Sequence, residues 1–181
     1  MSPSRFACSL LLALTLSVSA TGQKRRPNLS GTWELALAKS DFGKLPPPEG
    51  VTNVIEHREP NLVVRSTMKI KQGEFSAEDR YTTDGQENIN KTTTTLMTSR
   101  TRWVGDELVI EAEMEFQGRK VQFTERWKLS EAGRTLTTHR VMKTPSGDVP
   151  QRLVFSKKPA RATKAGKTAK APAAQPATPL R

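Results

Sequence analysis

Apolar and polar side chains alternate with a period of two along most of this chain. Trp33, Leu35 and Leu37 alternate with Thr32, Glu34 and Ala36. Leu62, Val64, Met68 and Ile70 share one face, opposite Arg65, Thr67 and Lys69. Leu108, Ile110, Ala112, Met114 and Phe116 alternate with Glu111, Glu113 and Glu115, and Val121, Phe123, Trp127 and Leu129 alternate with Gln122, Thr124, Arg126 and Lys128. Successive side chains of a strand face opposite sides of a sheet, so the pattern predicts half-buried strands.

Turn signals separate the runs: Pro60-Asn61, Gln72-Gly73, Asp84-Gly85, Gly105-Asp106, Gln117-Gly118 and Ala132-Gly133. Glycine and asparagine tolerate the positive φ of tight hairpins. About ten strands at this spacing predict an all-β fold. Hairpins in series predict an antiparallel up-and-down β-barrel of about 8–10 strands, which leaves no open sheet edge. Between Thr92 and Arg102 there is no Gly or Pro, so the break there is left open. Residues 38–50 differ from the other connections. They hold Asp41-Phe42-Gly43 and Pro46-Pro47-Pro48, a stiff segment that either folds over a barrel end with Phe42 as a plug or merely tethers two strands.

The ends of the chain have another character. Arg5 precedes a mostly apolar run, Phe6 to Val18, and Val18-Ser19-Ala20 suits a signal peptidase. The run falls short of the ~20 residues that span a bilayer. The expected organisation is a signal peptide at 1–20, a basic linker at 21–29, a barrel domain at 30–157 and a disordered Ala/Pro/Lys-rich tail at 158–181. Ala20 and Gly22 offer an alternative cleavage bond. Export to the periplasm or beyond the cell follows. The sole cysteine, Cys8, lies in the leader, so the mature chain is expected to lack disulfides, thiol catalysis and cysteine-held metals.

Charge sharpens this division. Of the net +11, Arg5 carries one and the seven basic residues from Lys157 onward carry seven, which leaves +3 for residues 21–156. Lys24-Arg25-Arg26 accounts for that remainder, so the barrel is nearly neutral. Spaced lysines in 157–181 suit an anionic envelope surface, with a dispensable solvated tail as the plainer reading. Nucleic acid is not an expected partner of an exported chain.

The hairpin at Ala132-Gly133 sets a register. Pairing Leu129 with Leu136 places Trp127 against Thr138 and Glu125 against Arg140, on the face of Val121, Phe123 and Met142. A buried carboxylate and guanidinium are tolerable only when paired. The pair either fixes strand register or anchors a ligand, with Arg140 gripping an anionic head group. Trp103, Met114, Phe123 and Trp127 are the candidate cavity wall, with core filling as the alternative. Met68, Met97, Met114 and Met142 add adaptable apolar surface.

Signals for catalysis are weak. His57 and His139 read as surface histidines; with Glu56 and Glu125 they could in principle bind a metal, yet neither has a second ligand at useful local spacing. No nucleophile elbow, phosphate-cradling loop or metal-binding His-Glu-x-x-His is present. No metal, cofactor or catalytic residue is assigned.

Gly31-x-Trp33 at the start of the first strand resembles the calycin group: lipocalins, fatty-acid-binding proteins and lipocalin-like secreted barrels of bacteria; the wider phrase Asn28-Leu29-Ser30-Gly31-Thr32-Trp33, then Lys39-Ser40-Asp41-Phe42-Gly43, is also similar to exported proteins of soil bacteria. The likeness covers roughly residues 28–156 and implies a ligand-holding barrel. It also implies a late-strand arginine packed over the tryptophan at the barrel bottom, and Arg140 is the positional candidate. Gly31, Trp33, Glu125 and Arg140 are therefore the expected structural residues. The chain departs from lipocalins in having no disulfide and no evident C-terminal helix. Three functions follow in order: an exported binder of a small apolar or amphipathic molecule, a filled barrel with an adhesive basic tail, and a small-molecule cyclase or isomerase using Glu125.

Overall fold

The computed structural model describes residues 26–91, 95–116, 119–130, 132–144 and 147–159. The leader at 1–20, the first part of the linker, the break at 92–94, the Gln117-Gly118 turn and the tail beyond Pro159 lie outside them. Ten strands follow one another: β1 (Gly31–Leu35), β2 (Gly50–Arg58), β3 (Asn61–Ile70), β4 (Gly73–Thr82), β5 (Asp84–Lys91), β6 (Thr95–Val104), β7 (Glu107–Phe116), β8 (Arg119–Leu129), β9 (Thr135–Thr144) and β10 (Gly147–Lys157). They form one antiparallel sheet in the order β4-β3-β2-β1-β10-β9-β8-β7-β6-β5. The expected up-and-down barrel is therefore what the chain builds. A single 3₁₀ turn, Leu37–Lys39, is the only helical element among the described residues.

The ring closes twice, by different means. Between β1 and β10 it closes by backbone pairing, with Trp33 opposite Lys157. Between β4 and β5 there is no ladder, and side-chain amides take its place. Asn90 Oδ1 accepts from Arg80 N at 2.7 Å while its Nδ2 donates to Arg80 O at 3.0 Å, and Asn88 Oδ1 accepts from Thr82 N at 2.6 Å. An asparagine amide presents the same donor and acceptor as a peptide group, so it can stand in for a strand partner. Asp84-Gly85 is not the tight turn its sequence suggests. Asp84, the first residue of β5, already pairs with Arg102 of β6, and Gly85, at φ 83°, lies in the shift of register between Asp84 and Glu87.

One end of the barrel is filled. The β2–β3, β4–β5, β6–β7 and β8–β9 turns gather there, with residues 26–30 packed across it. Leu29, Trp33, Leu62, Leu108 and Leu136 are almost wholly buried, with Trp127 and Phe155 beside them. Trp33 donates its indole N–H to Leu29 O at 2.9 Å. Leu29, expected to lie in the linker, is thus part of the core, because it contributes an apolar side chain that the barrel end needs. The cation over Trp33 is Lys157, 5.1 Å from the ring centroid, and not Arg140. The register explains this: Lys157 lies directly opposite Trp33, while Arg140 pairs with Gln151, six residues further along β10 and roughly 20 Å away at strand rise. The same geometry explains Gly31. A Cβ there would lie 2.5 Å from Lys157 Cε, and the backbone sits at φ 142°, which side chains rarely adopt.

Cross-strand ion pairs clothe the outer face, among them Arg102–Glu111 at 2.8 Å and Lys120–Glu113 at 2.9 Å. Exposed as they are, they contribute little stability.

Candidate functional site

The other barrel end is covered by residues 36–49. This segment extends β1 along the edge of β10. Ala36 N donates to Val154 O at 2.8 Å, and Asp41 and Arg152 exchange backbone bonds of 2.7 and 2.9 Å. Gly43 then turns at φ 60° where a Cβ would meet Pro150 O at 2.5 Å. Phe42 is thereby held half-buried against the core, and the proline run crosses towards β3. The segment is docked over the barrel end, as the plug reading of Phe42 requires.

Beneath it is a cavity of about 270 Å³. Leu35, Phe42, Val51, Met68, Met142 and Leu153 give it apolar walls, and Leu45, Pro46 and Pro48 roof it. Two polar side chains, Arg140 and Gln151, border it, and they are direct partners across β9 and β10. Near the rim, apolar side chains are left open: Met68 is 40% exposed and its cross-strand partner Phe75 is 53% exposed. A second hollow of about 260 Å³ lies outside the barrel, where Glu87, Arg100, Glu111 and Lys143 make it charged and open to water.

Arg140 reaches its position through the β8–β9 register read from the sequence: Leu129 pairs with Leu136, Trp127 with Thr138, and Glu125 with Arg140. Glu125 Oε1 accepts from Arg140 Nε at 2.5 Å and is also bonded by Nη2, while Oε2 accepts from Trp127 Nε1 at 2.5 Å. Both carboxylate oxygens are engaged, and Glu125 is only 5% exposed. The guanidinium lies 5.7 Å from the Phe123 ring centroid. Arg140 Nη1 has no protein partner among the described residues.

Asp79 on β4 completes the interior charge. It is an inward-facing carboxylate without a cation or hydrogen-bond partner among the described residues. Burial, and then the negative charge of Glu125, push its carboxyl above the usual range. Tyr81 beside it is raised well above the ordinary phenol value, chiefly by burial and then by Asp79 and Glu125. Asp79, Tyr81, Glu125 and Arg140 therefore act on one another across the barrel. Around them Asn53 Oδ1, Ser99 Oγ, Thr101 Oγ1 and Gln151 Oε1 are buried without a partner. Unmade hydrogen bonds of this kind are uncommon in a filled core and cost about 1–3 kcal/mol each.

Of the residues expected to line a ligand site, only Arg140 borders the cavity. Trp103 lies at the filled end beside the β6–β7 turn, where it donates to Glu59 Oε1 at 2.7 Å and is covered by Arg26 at 5.7 Å. Trp127 is buried one step below Arg140 and holds Glu125. Met114 and Phe123 pack against the core from β7 and β8. The reason is that residues 36–49 lie along β10, so the cavity opens on the wall of β1, β2, β3, β9 and β10. Parity alone does not say which part of a barrel the covering loop will use.

His57 also departs from expectation. It is 9% exposed, accepts Leu29 N–H at Nδ1 (3.3 Å) and bonds Glu59 Oε1 through Nε2 at 3.1 Å. These contacts assign the proton to Nε2 and make His57 a strut of the filled end. Burial works to raise Glu59, but hydrogen bonds from Thr83 and Trp103, with His57, outweigh it and hold the carboxyl below its ordinary value. No group of three metal-ligating side chains forms among the described residues. Gln151, Asp79 and Asn53 escaped the sequence reading. Asp79 had a signal, since Phe75, Ala77 and Tyr81 share its parity.

No protein-family model and no curated sequence matches the chain. Solved structures do. A secretory abundant heat soluble protein of Ramazzottius varieornatus aligns with a TM-score of 0.52 at 15% identity, over 71% of this chain and 94% of its own. The zebrafish ileal bile acid-binding protein complexed with cholic acid aligns with a TM-score of 0.51 at 12% identity, over 71% of this chain and 98% of its own. The chain has a calycin-like β-barrel fold. Another Ramazzottius varieornatus protein, secretory abundant heat soluble protein 4, aligns over 75% of this chain and 99% of its own with a TM-score of 0.51 and 10% identity. At such identities the likeness is one of fold.

Proposed function

We propose that the protein is an exported, non-enzymatic carrier that holds a small apolar or amphipathic molecule at the covered end of its barrel. The observation that carries this reading is the apolar cavity under residues 36–49, bordered by Arg140 and Gln151. Ligand sites are typically concave and mostly apolar, with a few placed polar groups. At interior packing density the cavity suits a molecule on the order of a dozen non-hydrogen atoms. Transfer of its apolar surface from water supplies roughly 25 cal/mol per Å². The zebrafish bile acid-binding protein complexed with cholic acid, to which this barrel is similar in fold, supports the reading by analogy. The enzyme reading loses ground because both oxygens of Glu125 are engaged.

The test is native mass spectrometry of the mature protein taken from its host's envelope without detergent. The expected spectrum has an added mass that organic solvent strips away and that Met142→Trp, which fills the cavity, abolishes. A bare polypeptide mass that stays bare after incubation with host lipid extract overturns the carrier reading and favours a filled barrel acting through its basic tail. The same spectrum tests export: a chain retaining residues 1–20 counts against it.

A further inference from the structure

The polar side of the cavity is more specific than its apolar side. Gln151 is fixed in orientation because its Nε2 donates to Phe42 O at 3.1 Å. A flipped amide would set two oxygens against each other there, so Oε1 is the atom left over. That oxygen is buried and unpartnered, on a side chain 9% exposed that borders the cavity. Its cross-strand neighbour Arg140 offers an unpartnered donor, Nη1, with Nε and Nη2 committed to Glu125. Directly opposed residues have Cβ atoms about 4.5–5.5 Å apart, so the two groups are near enough to serve one ligand atom once the covered Oε1 is exposed to it.

We infer that the cavity receives its ligand's polar end as an uncharged hydroxyl, which donates to Gln151 Oε1 and accepts from Arg140 Nη1, and that it disfavours a carboxylate. The inference rests on the carrier reading. A hydroxyl is at once donor and acceptor, which matches this pair. A carboxylate has no proton for Oε1. It would also add a negative charge to an interior where Glu125 already neutralises Arg140 and Asp79 has no cation. A protonated amine could serve Oε1 and Asp79 but would face the free edge of the guanidinium.

The experiment compares decane, 1-decanol, decanoate and decylamine on the mature protein by calorimetry at pH 8. Decanol is expected to bind at least tenfold tighter than decanoate. Gln151→Leu should narrow the decanol-over-decane advantage about fivefold, the worth of one neutral hydrogen bond. Glu125→Gln should reverse the order by releasing Arg140 to the acid. Should that variant not fold, Asp79→Asn, which removes the second negative charge, should raise decanoate affinity severalfold. Decanoate binding as tightly as decanol, or decylamine binding more tightly, overturns the hydroxyl assignment and leaves the carrier reading standing. Failure of all four ligands to bind overturns both.

Discussion

The two ends of this barrel are made by the same alternation and reach opposite results. At the filled end large side chains meet, and the nitrogens of their indole and imidazole rings are satisfied. Trp33 bonds Leu29 O, Trp103 bonds Glu59, and His57 lies between Leu29 and Glu59. At the covered end the walls are methionine, proline and leucine, the rim leaves Met68 and Phe75 open, and Gln151 keeps an unpaired oxygen. The difference lies less in hydrophobicity than in what closes each end. Leu29 inserts into the first, whereas the second is roofed by a segment that runs along β10 and then crosses towards β3 without filling the space beneath it. A core that is full gives stability; a core that stops short leaves room.

The largest effect should separate the ends directly. Trp33→Ala is expected to lower stability by about 3–5 kcal/mol in urea titrations, whereas Met142→Ala should cost only about 1 kcal/mol because its surroundings are already partly empty. Equal losses would erase the distinction. Next, Glu125→Gln should cost about 2 kcal/mol, since it leaves a half-buried guanidinium uncompensated.

Acid should then divide the two regions by sign. Glu59 has a lowered carboxyl, so its contribution is present above the ordinary carboxylate range and lost as pH falls through the lowered folded value. Glu59→Gln should flatten that part of the stability profile. Asp79 has a raised carboxyl, so its charge costs stability above the raised value and the cost vanishes as pH falls. Asp79→Asn should raise the melting temperature at neutral pH and leave it unchanged in acid. Identical pH responses in the two variants would show that the filled end and the interior are not electrostatically distinct. The smallest effect belongs to the seam. Asn90→Ala should speed hydrogen exchange at Arg80 N–H, which loses its acceptor, at a cost of about 1 kcal/mol or less.

Much of this was legible in the sequence because it is local. Strand parity placed Glu125 and Arg140 on one face, and the short β8–β9 turn fixed their register. Lys157 over Trp33 was not legible, because it depends on the pairing of the first strand with the last, which no turn specifies. His57 was hidden in a strand with apolar residues on both faces, Val54 and Ile55, so parity did not declare which side was inward. The seam was illegible for a related reason: Asn88 and Asn90 stand in a polar stretch, and only the missing ladder gives their amides something to replace. The covering segment announced itself through Phe42 and three prolines, but its direction along β10 is a property of the assembled barrel.

Lys157 lies over Trp33, and Lys158 N reaches Thr32 O at 2.8 Å. The described chain therefore enters and leaves the barrel at the filled base, and nothing attached to either terminus needs to pass the cavity. A molecule immobilised by its tail on a bead, an electrode or a cell surface would stand like a cup on its foot, with the opening directed outward. The two terminal strands are already hydrogen-bonded neighbours, so a short peptide joining them would allow new termini to be cut elsewhere in the ring. The fold is thus suited to circular permutation and to display as an oriented sensor.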